Sequence, residues 1–204
     1  MKLFILLLSA LGLSCTNQSS LIFQNATEEF DKFWQDSEKK TPTKRFHNFK
    51  STAYKSFPEF YDYKFDQWKK NGNDPIDSLS KEIDEYPNYR ATFLAIGKKL
   101  PSFLERSALS FKKMFPDFNE NIEVHIINSF GDLDGGTRIL NKKLYFIFGA
   151  ESITKYHKNT DMERKVPFFH HELFHMYHRQ FFQERENISS SLWVEGLAIL
   201  AAEA

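Results

Sequence analysis

One cysteine in 204 residues excludes an internal disulfide. Such a chain must be held by core packing, or by a metal ion if it binds one. Charge of either sign is also missing in excess, with 27 basic and 27 acidic side chains, so no global field draws the chain toward nucleic acid, and no nucleic-acid partner is expected. No uninterrupted apolar run approaches the roughly 20 residues needed to cross a bilayer as a helix. Internal repeats and low-complexity tracts are absent as well. What abounds is aromatic surface: 22 Phe, eight Tyr and three Trp supply a packed interior for one folding unit of ordinary size.

The amino terminus begins Met1-Lys2, continues through the apolar stretch Leu3 to Leu13, and reaches Ser14-Cys15 before turning polar at Thr16 to Ser20. This is the pattern of an export signal over residues 1–14. Cys15, with the small Ser14 before it, resembles the lipobox of bacterial lipoproteins, although Gly12 stands where that family usually has Leu. The resemblance implies a lipid attached at Cys15, a polar tether over 15–24, and a protein anchored in the bacterial cell envelope, on its periplasmic or cell-surface side. An ordinary secretory signal, giving a secreted protein, is the alternative.

Residues 25–118 read as a mainly helical region. Aromatic residues recur at spacings of three and four: Phe30, Phe33 and Trp34, then Phe57, Phe60, Tyr61, Phe65 and Trp68. Such stripes are inward faces of amphipathic helices. Breaks at Thr41-Pro42, at Asn71 to Pro75 and near Pro87 predict three or four helices, the longest over Ala91 to Met114. Beyond Pro116 the texture changes. Ile122 to Ile127 and Leu144 to Phe148 read as strands, and the glycines and carboxylates of Gly131 to Gly136 read as a turn in preference to a calcium loop, which would need further ligands. A helix is expected from about Thr160 to Phe182, capped by Asn159 or Thr160, and another from Ser190 or Ser191 onward. The second half, 119–204, stops nine residues after Glu195 and is expected to be cut short at its carboxyl end.

Chemistry concentrates in His170-His171-Glu172-Leu173-Phe174-His175. On a helix, residues four apart share a face with β-carbons roughly 5–6 Å apart, so the imidazoles of His171 and His175 can lean onto one ion. Zinc suits neutral imidazole nitrogens in a tetrahedral site with one position open. Glu172 projects beside that ion and can take a proton from water. A third ligand is required. His178 and Phe181 stand where the longer metzincin form would want Gly and His, and Cys15 is too remote to serve as a cysteine ligand. A di-iron carboxylate bundle would need a second Glu-x-x-His, which the chain lacks. Twenty residues after His175, however, Ser191-Leu192-Trp193-Val194-Glu195-Gly196-Leu197-Ala198 offers a carboxylate on the next helix.

With that pair of segments the chain resembles the gluzincins, among them bacterial predicted zinc-dependent proteases that carry a His-Glu-Leu-x-His helix and a Trp-x-Glu-Gly-x-Ala helix. The resemblance covers roughly Ile122 to the end. It implies an α+β, zincin-like fold: a small mixed sheet, an active-site helix, a glutamate helix, and an edge strand, here Leu144 to Phe148, that holds an extended peptide. It also implies one Zn2+ held by His171, His175 and Glu195, with Glu172 as general base in peptide-bond hydrolysis of a peptide or protein substrate. Gly196 and Ala198 are expected to let the two helices approach, with Trp193 packing back. Tyr177 and His178 are expected to be packing residues, and His170 to lie at the surface or behind the ligands. A degenerate, non-catalytic envelope binding protein is the alternative. The anchor has a direct test: Cys15→Ala moves the protein from the membrane fraction to the soluble fraction, and unchanged partitioning in a fractionation immunoblot rules the lipid out.

Overall fold

A computed structural model describes residues 21–119, 121–156, 162–181 and 188–203. The signal, Cys15 and the first part of the expected tether lie outside them, as does the expected cap at Asn159 or Thr160. The described chain is α+β, as expected. It runs β1 (Ile22–Asn25), α1 (Thr27–Ser37), α2 (Pro42–Ser51), α3 (Pro58–Lys70), α4 (Pro75–Glu85), α5 (Arg90–Met114), β2 (Glu123–Ile127), β3 (Gly136–Leu140), β4 (Lys143–Gly149), α6 (Ala150–Tyr156), α7 (Val166–Phe181) and α8 (Ile188–Glu203), with short 3-10 turns between.

Prolines set several of these boundaries. Pro42, Pro58 and Pro75 each open a helix at its first turn, where a missing N–H costs nothing, and Asp74 caps α4 by accepting from the backbone N–H groups of Ile76 and Asp77. The helical region therefore holds five helices where three or four were expected, because the break before Pro58 was not counted. The longest, α5, begins one residue ahead of the predicted Ala91 and carries Pro101 within it.

Four strands form one sheet in the order β1-β2-β4-β3. β1 is parallel to β2, β2 is parallel to β4, and β3 is antiparallel to β4. Two corrections follow. Residues 22–24, expected in a polar tether, belong to strand β1, whose backbone pairs with β2; its side chains are mostly exposed, so no apolar run announced it. Leu144 to Phe148 is not an edge strand, because β3 covers its outer side. The edge strand on that side of the sheet is β3, hidden in sequence behind a glycine-rich stretch, and β1 forms the opposite edge. Its hairpin to β4 turns on Asn141 and Lys142, both with positive φ (49° and 66°), the requirement of a two-residue type I′ turn.

All five amino-terminal helices make up the connection between the parallel neighbours β1 and β2, and one buried cluster runs from Leu21 to Ala201. On one face of the sheet Phe57 stacks on His125 and meets Tyr145. On the other, Phe148 meets Phe168 and Phe169 of α7. Thr27 closes against Gly97, where a β-carbon would stand 2.3 Å from its Oγ1, so α1 and α5 cross in near contact. Asp31 fastens the same helices, accepting from Tyr86 Oη (3.0 Å) and from Arg90 Nε and Nη2 (2.6 and 2.9 Å), and the Arg90 hydrogen bond holds its carboxyl below the usual range.

Among the described residues, His125 departs from this pattern, as do the buried hydroxyls of Ser80 and Ser107. It is 5% exposed, neither ring nitrogen has a hydrogen-bond partner, and Glu123 Oε1 lies 3.3 Å from Nε2 without completing one. Burial holds its pKa below the ordinary histidine range, against the opposing pull of Glu123. The fold thus prefers the neutral ring, and the unfolded chain binds more protons between the folded value and about 6.5. Stability is complete above that pH and lost as pH falls through this window. In chelator-treated protein the melting temperature should drop between pH 7 and pH 5, and His125→Phe should shrink the drop; an unchanged drop removes His125 from the account.

Candidate metal centre

The helix α7 places His171 and His175 one turn apart, and α8 packs along it. Ala198 is fully buried in that seam, with Val194 and Ala201 beside it and Leu197 partly buried. On a helix these positions lie on one face, and Glu195 stands a quarter turn to its side, turned toward the histidines. His171 Nε2 and His175 Nε2 are 3.0 Å apart. Glu195 Oε2 lies 3.2 Å from the first ring, and Oε1 lies 3.4 Å from the second. The three side chains can therefore hold one metal ion, their ligand atoms all falling within 4.8 Å of one another. Glu203, the other glutamate of α8, is exposed and is not part of this group.

Glu172 occupies different surroundings. It is 8% exposed, and its Oε2 lies 3.6 Å from where a β-carbon on Gly136 would stand, at the start of edge strand β3. A β-carbon at 136 would only touch the carboxyl, and it is the backbone φ of 147° there that favours glycine. Burial pushes the Glu172 carboxyl up to about 8; Asp134 and Glu195 add to the rise, and Arg138 opposes it. Gly136, Asp134 and Arg138 were not singled out from sequence, since Gly131 to Gly136 reads only as a turn. The turn reading itself agrees with the structure: Asp132 is engaged by Lys64 and Arg138, and Asp134 Oδ1 accepts from Gly135 N–H. Behind the loop, the buried carboxylate of Glu151 accepts from Ser129 N–H (2.9 Å) and Gly131 N–H (3.0 Å).

Three expectations need correction. His170 is not at the surface; it is buried, with Nε2 2.7 Å from Ser110 Oγ and its ring against Phe111, so it fastens α7 to α5. Trp193 does not pack back but is 66% exposed. Gly196 is not in the helix contact, because a β-carbon there meets nothing within 4 Å; Ala198 alone fulfils the small-residue role. Tyr177 packs on Phe115 and reaches Asp117 through its hydroxyl, and His178 lies against Phe174. Comparison with protein-family models, with curated proteins and with solved structures finds no match to the chain.

Two substitutions on α8 separate these roles. Gly196→Ala should leave metal affinity intact and raise stability by up to about 1 kcal/mol, the helix-propensity difference at an exposed site. Ala198→Leu overpacks the seam, at a cost of typically 1–3 kcal/mol, and moves Glu195 away from the histidines. Titration with a divalent transition ion should show affinity lost in the second variant and in Glu195→Ala, and kept in the first and in Glu203→Ala. Equal affinity in Glu195→Ala and the native chain would show that Glu195 is no ligand.

Proposed function

We propose that this protein is a zinc metallopeptidase of the cell envelope, with a zincin-like core in which His171, His175 and Glu195 hold the ion and Glu172 is the general base. The observation that carries this reading is the ligand triangle. Three corners of a tetrahedron around an ion with bonds of roughly 2.0–2.1 Å lie about 3.3–3.4 Å apart, and the side chains of α7 and α8 stand at 3.0, 3.2 and 3.4 Å. Two imidazoles and a carboxylate on a pair of helices form a donor set that zinc accepts with a fourth position open. When bound, zinc supplies Lewis acidity, polarising a carbonyl and bringing the pKa of water to about 7.

The protein's own groups supply the rest. Glu172, next in sequence to His171 and buried against β3, would take a proton from water and return it to the leaving amine. A carboxyl shielded from solvent keeps a proton more readily than an exposed one, as a group that both accepts and donates must. The open edge of β3 begins beside that carboxyl at Gly136, so an extended peptide added to the sheet there passes the general base. This assigns to β3 the peptide-holding role expected of Leu144 to Phe148. Export and lipidation at Cys15 would put such an enzyme on envelope proteins and peptides.

Glu172→Gln tests the reading against a non-catalytic binding protein. The amide keeps the shape and cannot accept a proton, so metal content should stay at one ion per chain while cleavage of a casein or peptide-library substrate falls typically 10²–10⁴-fold. Comparable cleavage by both proteins would assign the activity elsewhere.

A further inference from the structure

The hairpin fixes which backbone groups of β3 face outward. Across its two-residue turn, Leu140 and Lys143 form the first hydrogen-bonded pair, so Arg138 with Tyr145 and Gly136 with Ile147 are hydrogen-bonded pairs in turn. Thr137 and Ile139 fall between them. Their N–H and C=O groups point away from β4, toward the open edge. The contact of Arg138 Nη1 with Thr137 O, at 3.0 Å, agrees with that phase. Among the described residues no strand lies beyond β3.

Side chains follow the same alternation. Ile139 lies across from Leu144, and Thr137 across from Phe146, which sets both on the face of the sheet shared with Phe148, the face that α7 covers. Ile139 is nonetheless 65% exposed, a β-branched apolar side chain standing on an open edge three residues along β3 from Gly136, the position that Glu172 abuts. Thr137 O is already taken by the guanidinium of Arg138, which Asp132 holds in place through Nε (3.2 Å) and Nη2 (3.0 Å), so the free ladder groups centre on Ile139.

From this register we infer that Ile139 is a specificity determinant: it selects substrates with an apolar, preferably β-branched, residue at the position directly across from it. The inference rests on the peptidase reading for the word substrate, and on the hairpin geometry for everything else. A peptide pairing antiparallel with β3 exchanges hydrogen bonds with Ile139 and must set the facing side chain on the same side of the sheet, in cross-strand contact. Only one position of the peptide meets this residue. Its neighbours along the peptide point to the other face.

The experiment is a positional scan of peptides of eight residues against the full-length, zinc-loaded Glu172→Gln protein, with binding read by fluorescence polarisation so that turnover plays no part. Val or Ile should bind about five-fold better than Lys at one position only, the upper end of a cross-strand pair preference. Adding Ile139→Glu should turn that one position toward Lys and leave the others unchanged, an inversion that misfolding cannot produce. No binding, the same profile in both proteins, or a change spread over all positions overturns the inference. Native protein that binds the preferred peptides without cleaving them sinks the peptidase reading and leaves Ile139 as the selector of a bound strand.

Discussion

The contact that everything at the metal centre depends on is the seam between α7 and α8, closed by the fully buried Ala198 with Val194 and Ala201 beside it. Histidines four apart on one helix can face a common point unaided, but a carboxylate from another helix reaches it only if the two backbones lie close. Ala198, with no exposed surface, offers only a β-carbon at that contact. The opposite side of α8 has no such constraint, which is why Leu192, Trp193, Ile199 and Leu200 stand exposed there and Gly196 looks into open space. Close approach and the aim of Glu195 are one property of the helix pair.

A second constraint acts from the sheet. Glu172 is buried against the start of β3, and β3 is placed by the loop that precedes it, where Phe130 and Gly131 take positive φ values of 54° and 72°. A bulky side chain in that conformation must be held by its surroundings. Glu151 holds it, accepting from the N–H groups on either side of Phe130, while the Phe130 ring is packed among Phe30, Phe49, Tyr61 and Trp68. The aromatic core of the first half therefore reaches Glu172 through one loop. This gives the helical region a role in positioning the site without a residue in it.

The parts of this arrangement that sequence disclosed are those set by short-range periodicity. His171, Glu172 and His175 declare themselves by a four-residue spacing, Glu195 by its place on the following helix, and β2 and β4 by apolar runs that burial on both faces demands. The parts it concealed are set by pairing and packing at a distance. β1 and β3 exist because β2 and β4 offer them backbone partners, and neither carries an apolar run of its own. His170 looks in sequence like one more member of a histidine cluster; only the direction of its side chain, toward Ser110 of α5, separates it from its neighbour. Gly196 follows a glutamate as the resemblance leads one to expect, yet its lack of a side chain answers to nothing in the described helix contact.

The two glutamates of the candidate site stand in contrasting environments. Glu195, with its side chain 56% exposed, turns both oxygens toward the imidazoles. Glu172 is shielded from water, and burial raises its affinity for a proton; Asp134 and Glu195 nearby push in the same direction, and Arg138 pushes back. A carboxyl that has lost water keeps a proton more readily, which is what the proposed general-base role asks of Glu172, a group that must both accept and return one. The ligand role proposed for Glu195 rests instead on aim, since each of its oxygens lies within 3.4 Å of an imidazole nitrogen. Burial for one glutamate and aim for the other thus support the proposed division, beside the motif spacing that first suggests it.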